Sequence, residues 1–204
     1  MRLKAWGGIL AMAAMLAGAA PAAAQFSDSY NFLKAVRDKD GQKVTEFLQG
    51  GGGATIINTK DITTGESAVH IVIKRRDDTW LRFLLEQGAN PNIRDKNGNT
   101  PLVACAQIGF AEGLAALIGK RADVNLPNDQ GETPLIVAVQ RRDLIAVRLL
   151  LEARADANRA DHIAGLSARD YAARDPRAAP ILRAIDDAAK TTKPAPAKVS
   201  GPGL

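Results

Sequence analysis

GNTPLVACAQIGFAEGLAALIGKRADVN, residues 98–125, spells out two short helices joined by a turn. Thr100 offers a side-chain oxygen to the exposed amides of a helix start, and Pro101 follows where a missing amide costs nothing. The run from Leu102 to Ala106 is apolar enough to be buried on more than one side. Gly109-Phe110 makes the turn, and Leu114, Leu117 and Ile118, spaced by three and four, put one apolar stripe on the second helix.

The same phrase recurs. Gly65, Gly98 and Gly131 are 33 residues apart, and Gly165 follows after 34. Ala89, Ala122 and Ala155 keep that period, with Asn92, Asn125 and Asn158 behind them, and so do the pairs Leu84-Leu85, Leu117-Ile118 and Leu150-Leu151. Three markers holding one period identify a repeat array. Ser67, Thr133 and Ser167 stand where Thr100 does, and Pro134 repeats Pro101. Turns fall at Arg76-Asp77 and Arg142-Asp143, as at Gly109-Phe110.

This run resembles the ankyrin repeat, with its Gly-x-Thr-Pro-Leu-His start, Ala-Ala pair, double leucine and Gly-Ala-Asp-Val-Asn close. The match is close through residues 61–160 and weaker at the ends. Residues 30–58 keep helical spacing (Phe32, Leu33, Val36, then Val44, Phe47, Leu48) without the Thr-Pro-Leu start. Residues 164–189 keep GLSARDYAA, but Pro176 and Pro180 are expected to interrupt the second helix. The resemblance implies an all-α ankyrin-repeat solenoid of about five helix-turn-helix units with short β-hairpin-like finger loops. The expected units are 30–60, 61–94, 95–127, 128–160 and 161–189, the outer two acting as caps that face water on one side.

Departures from the pattern carry information. The histidine of the start survives only as His70; Val103 and Ile136 replace it and lose its hydrogen bonds. Gly88 keeps the glycine that follows the second helix, but Arg121 and Arg154 stand in its place later and are expected to adopt the left-handed backbone themselves.

Arg2 and Lys4, the apolar stretch 5–20 and the small residues 21–24 read as a secretory signal peptide, cut after Ala24. About 16 apolar residues fall short of the roughly 20 needed to span a bilayer. A periplasmic or secreted protein is expected, with an array over 25–189 and a disordered Lys/Pro/Ala tail over 190–204. The formal charge of +5 misleads. Of 27 basic residues, Arg2 and Lys4 leave with the signal and Lys190, Lys193 and Lys198 sit in the tail, so 22 face all 22 acids in the body. A neutral body offers no electrostatic case for nucleic acid. The aromatic share is 4% against a hydrophobic share of 46%, so the interior is built from aliphatic residues and alanine. Cys105 is the single cysteine, which excludes an intramolecular disulfide.

Little in the chain points to catalysis, and no enzyme is expected. His70 and His162 lie three units apart, Cys105 takes the position of the first alanine of the Ala-Ala pair, and these three have no metal-ligand spacing. Gly50-Gly51-Gly52-Gly53 lacks the Gly-Lys-Ser/Thr of a phosphate loop and reads as a flexible connection. Neither cofactor nor metal is expected. The rival reading is an enzyme or small-ligand sensor in the C-terminal capping unit, around His162, Asp170 and Tyr171.

The surface remains. The resemblance implies a concave face lined by the first helices and the fingertips, the tips falling near residues 59–63, 93–97, 126–130 and 159–163. Candidate partner-binding residues are Lys60, Arg75, Arg76, Arg94, Lys96, Asn128, Asp129, Arg141, Arg142, Arg159, His162 and Arg174. They make a discontinuous basic edge suited to an acidic segment of a partner protein, and the module is expected to act as a monomer, as scaffold, inhibitor or stress-protective factor.

Overall fold

A computed structural model describes residues 20–192, with side chains from 28 to 191. The leader expected at 1–24 lies outside the described residues except for 20–24, which are helical; most of the tail also lies outside.

Among the described residues the chain is helical throughout, with two isolated β-bridges and no strand. Helix pairs follow one another: α1 (Ala20–Asp38) with α2 (Gly41–Gln49), α4 (Ala68–Lys74) with α5 (Asp78–Glu86), α6 (Pro101–Ile108) with α7 (Ala111–Gly119), and α8 (Pro134–Gln140) with α9 (Leu144–Glu152). The last pair is α10 (Ala168–Arg174) with α11 (Ala179–Thr192), joined by a 3-10 turn at Pro176–Ala178. The first helices α1, α4, α6, α8 and α10 pack in sequence as one layer, and α5, α7, α9 and α11 stack as a second.

Each element starts for a local reason. Thr100 and Thr133 accept hydrogen bonds from the amides of Val103 and Ile136, with proline next in line. Ser67 and Ser167 head reciprocal capping boxes in which His70 and Asp170 replace the usual glutamate. The second helices open on Asp40, Asp77 and Asp143, whose carboxylates accept from Lys43, Trp80 and Ala146. The turn motifs marked where these helices begin without revealing the aspartates as caps.

The core lies between the two layers. Phe32, Val36, Leu81, Leu84, Leu114, Leu117, Leu135 and Leu150 are fully buried, as the periodic pattern requires. Cys105 is buried as well, and burial pushes its thiol far up. Gly113 lets α7 approach the Phe110 ring and the Cys105 sulfur: a Cβ there would lie 2.4 Å and 2.8 Å from them.

Arg121 and Arg154 adopt left-handed backbone as expected, with φ of 59° and 69° beside Gly88 at 91°. Lys39, Arg76 and Arg142 do so too (58°, 54° and 57°) at the ends of first helices, in the register Gly109 holds at 65°. Two expectations need correction. Pro180 does not interrupt the final helix, because it lies in the first turn of α11, where its missing amide is harmless, and that helix continues to Thr192. Nor is the four-glycine run only a flexible connection. Its last member opens a short helix, α3 (Gly53–Ile56), and Gly53 sits so close to the Leu48 carbonyl that a Cβ would lie 2.0 Å from that oxygen.

Candidate partner-binding surface

The fingertips are built on one device. Asp61, Asp95, Asn128 and Asp161 turn their side-chain oxygens inward onto the amides that follow. Asp95 Oδ1 accepts from both Asn97 and Asn99 at 2.8 Å, and Asp161 Oδ1 accepts from Ile163, Ala164 and Gly165. Burial opposes ionisation of Asp161, but the Tyr171 hydroxyl, 2.6 Å from Oδ2, and these amides outweigh it and hold the carboxyl below its ordinary range. At Asp61 the Thr64 amide and the Arg37 guanidinium act in the same direction.

Backbone bonds tie one tip to the next: Lys96 N–H to the Thr64 carbonyl (3.2 Å), Asp129 to Asn97 (3.2 Å) and His162 to Gln130 (2.8 Å). An asparagine ladder runs beside them. The side-chain oxygens of Asn58, Asn92 and Asn125 accept from the amides of Asn90, Asp123 and Asp156, each in the following unit, at 2.7–2.8 Å. The sequence marked Asn92 and Asn125 as periodic without showing this purpose.

His70 keeps the expected role. Its Nδ1 lies 3.0 Å from Ser67 Oγ and its Nε2 3.1 Å from the Asn99 carbonyl, while burial pushes the imidazole pKa down.

The twelve candidate residues divide sharply. Arg75 Nη1 donates to the carbonyls of Val36 and Arg37 at the end of α1, and Arg76 reaches the Ile108 carbonyl at the end of α6. Lys60 bonds the Arg94 carbonyl (3.1 Å), Arg94 pairs with Asp129 (2.9 Å), Arg142 with Asp175 (2.5 Å), and Arg159 bonds the Asn125 carbonyl (3.1 Å). These side chains join units to one another. Asn128 is a correction: only 2% exposed, it is held by Asn99, Gln130 and Glu132 because it fills the inward-turned position of its tip, and it is not available to a partner. The Asp or Asn recurring at this register in the other tips was the signal that could have found it. Lys96, Arg141 and Arg174 are exposed and make no ion pair among the described residues. His162 is exposed, with its ring laid against Gly131.

Polar pairs also cross the face between fingertip and helix end: Glu66 with Lys74, and Asn99 with Gln107 at 3.1 Å. In the last unit Tyr171 bonds Asp161 while Asp170 bonds Ser167, so the rival trio of His162, Asp170 and Tyr171 is divided among separate local contacts. Among the described residues no His, Cys, Asp and Glu side chains are grouped to hold a metal ion, and no helix is long and apolar enough to cross a membrane.

A family model of ankyrin repeats (3 copies) matches residues 32–128 and 69–161. Similar proteins include the human 2-5A-dependent ribonuclease (30% identical over 86 residues, 42% of this chain and 11% of that protein). The putative ankyrin repeat protein FPV031 of fowlpox virus is 32% identical over 82 residues, 35% of this chain and 24% of its own length. The human SH3 and multiple ankyrin repeat domains protein 2 is 34% identical over 87 residues, 43% of this chain and 4% of that protein. The chain thus spans a quarter or less of each, and the likeness is one of repeats. With the 33-residue period, the capped helix pairs and the linked fingertips, the match over more than half the sequence places this chain in the ankyrin repeat family.

Proposed function

We propose that this chain is an exported, non-catalytic binding module that holds an acidic segment of a partner protein on its concave face. Ankyrin repeats are generally protein–protein interaction modules, and their domains are typically non-catalytic. Such a stack offers a long surface without an enclosed pocket. The observation that carries the reading is the division of the basic edge. Most of its arginines bind neighbouring units, whereas Arg141, just past α8, Arg174, the last residue of α10, and Lys96, at the second fingertip, are exposed and make no ion pair among the described residues. Exposed cations at the ends of neighbouring first helices and at a fingertip form a ready electrostatic contact for an anionic partner. Export follows from the basic, apolar and small-residue pattern of residues 1–24, and the compartment is the periplasm or the exterior.

The test is photocrosslinking in cells with a reactive side chain at Arg141, at Arg174 and, as control, at Arg148 on the α9 layer. One protein captured at the first two positions and absent from the third supports the module; equal capture at all three overturns it. A mature mass beginning at Gln25 tests export separately.

A further inference from the structure

The first and last fingertips differ from the middle two in a matched way. Three residues separate Asp61 from Gly65 and Asp161 from Gly165, against two between Asp95 and Gly98 and between Asn128 and Gly131. Both longer tips close with an isolated β-bridge, Lys60 to Ser67 and Ala160 to Ser167. Each exposes an isoleucine: Ile62, the first residue after Asp61, is 76% exposed, and Ile163, the second after Asp161, 77%. The middle tips present Lys96, Asn97, Asp129 and Gln130 instead. A single exposed aliphatic residue is ordinary. Two at the outermost tips, on an otherwise polar ridge, call for a reason that the fold does not supply.

Ile62 also borders a cavity of about 310 Å³ between α1 and the first fingertip. Leu33 and Tyr30 line it from the helix, with Tyr30 62% exposed, and the Arg37–Asp61 ion pair (2.7 Å) lies on its wall. Residues 20–29 are helical where later units carry a fingertip, and among the described residues no such tip lies over Tyr30.

Charge on the ridge is equally uneven. The carboxylates of Asp61, Asp95 and Asp161 are directed onto turn amides, whereas Lys60, Lys96 and Arg159 are exposed. Asp129, the exposed acid among them, is paired with Arg94. The outward surface is therefore basic between two aliphatic ends.

We propose that the four fingertips together bind one extended acidic segment of a partner protein, with an aliphatic side chain seated in the Tyr30–Ile62 cavity and a second resting on Ile163. The inference rests on the protein-binding reading above and adds the footprint and the partner's pattern. Neighbouring helices lie 8–10 Å apart, so three steps span roughly 24–30 Å. An extended chain advances about 3.3 Å per residue, which puts the two aliphatic residues about eight positions apart with acids between them.

The probe is a synthetic nine-residue peptide with leucine at both ends and aspartates alternating with glycine and serine between, titrated into the isotopically labelled full chain and followed by amide NMR. Shifts at both Ile62 and Ile163, lost on shortening the spacing to four and weakened about tenfold by either Ile62→Ser or Ile163→Ser, support the proposal. Both substitutions fall in exposed loops, so an unchanged spectrum elsewhere establishes that the variants are folded. Binding indifferent to leucine spacing, binding equally strong with amides in place of the acids, or silence at both tips overturns it. Shifts confined to Arg141 and Arg174 overturn the fingertip footprint while leaving the concave-face reading intact.

Discussion

Nε2 of His70 lies 3.1 Å from the carbonyl oxygen of Asn99, 29 residues further on and in the next unit, so a buried imidazole joins two repeats. Its other nitrogen lies against the Ser67 hydroxyl and accepts from the Ser67 amide, a bond that a proton added there would break. This arrangement makes stability depend on pH. Because burial lowers the folded pKa, the unfolded chain takes up a proton below the ordinary histidine value of about 6.5 while the folded chain resists it. Stability from this group is thus complete above that value and declines as pH falls below it. Urea midpoints measured at neutral and mildly acidic pH should show the decline, and His70→Val, which copies the residue type of Val103, should reduce it.

Arg121→Gly and Arg154→Gly should each stabilise the protein by about 1 kcal/mol, since each arginine holds a left-handed backbone conformation that glycine adopts without strain. Thermal unfolding should rise by roughly 2–4 °C per substitution for a chain of this length. A lower midpoint would mean that the arginine side chain makes a stabilising contact exceeding its strain.

Gly113→Ala should do the reverse, although alanine is the better helix former by about 1 kcal/mol. The added methyl would overlap the buried Phe110 ring and the Cys105 sulfur, and overpacking of this kind costs about 1–3 kcal/mol. A denaturation midpoint unchanged or raised would show that Phe110 moves aside freely.

Tyr171→Phe should remove the hydroxyl that donates to buried Asp161, at a cost of about 1–3 kcal/mol near neutrality. The Asp161 carboxyl titrates below its ordinary range, so its contribution is complete above the unfolded value of about 4 and is lost as pH falls through the folded value. The difference between wild type and variant should therefore shrink in acid, which equilibrium unfolding at several pH values will read directly.

The array was legible because its markers are backbone requirements repeated in one register: a hydroxyl before the first helix, a proline after it, and a left-handed residue closing the second. The same logic reached Arg121 and Arg154 through Gly88. It would have reached Arg76 and Arg142 had Gly109 been compared with the residues 33 positions to either side, all three sharing positive φ. The surface was less legible. Charge type alone does not tell an arginine that binds the next unit's carbonyl, as Arg76 and Arg159 do, from one that faces solvent, as Arg141 does. Asn128 looked exposed because its neighbours at the tip are polar, although the Asp or Asn at the same register of the other tips marks an inward-turned position; its bond to Asn99, two residues past the preceding tip, is visible only in three dimensions.

The asparagine ladder runs in one sense, each side chain accepting from a main-chain amide of the unit that follows. Residues 98–130 therefore carry a complete connector: the Asp123 amide for the unit before, and the Asn125 oxygen for the unit after. A duplicate of that segment spliced in after residue 130 would find its sockets already waiting on both sides, so the chain can gain length in 33-residue instalments with no new joint to invent.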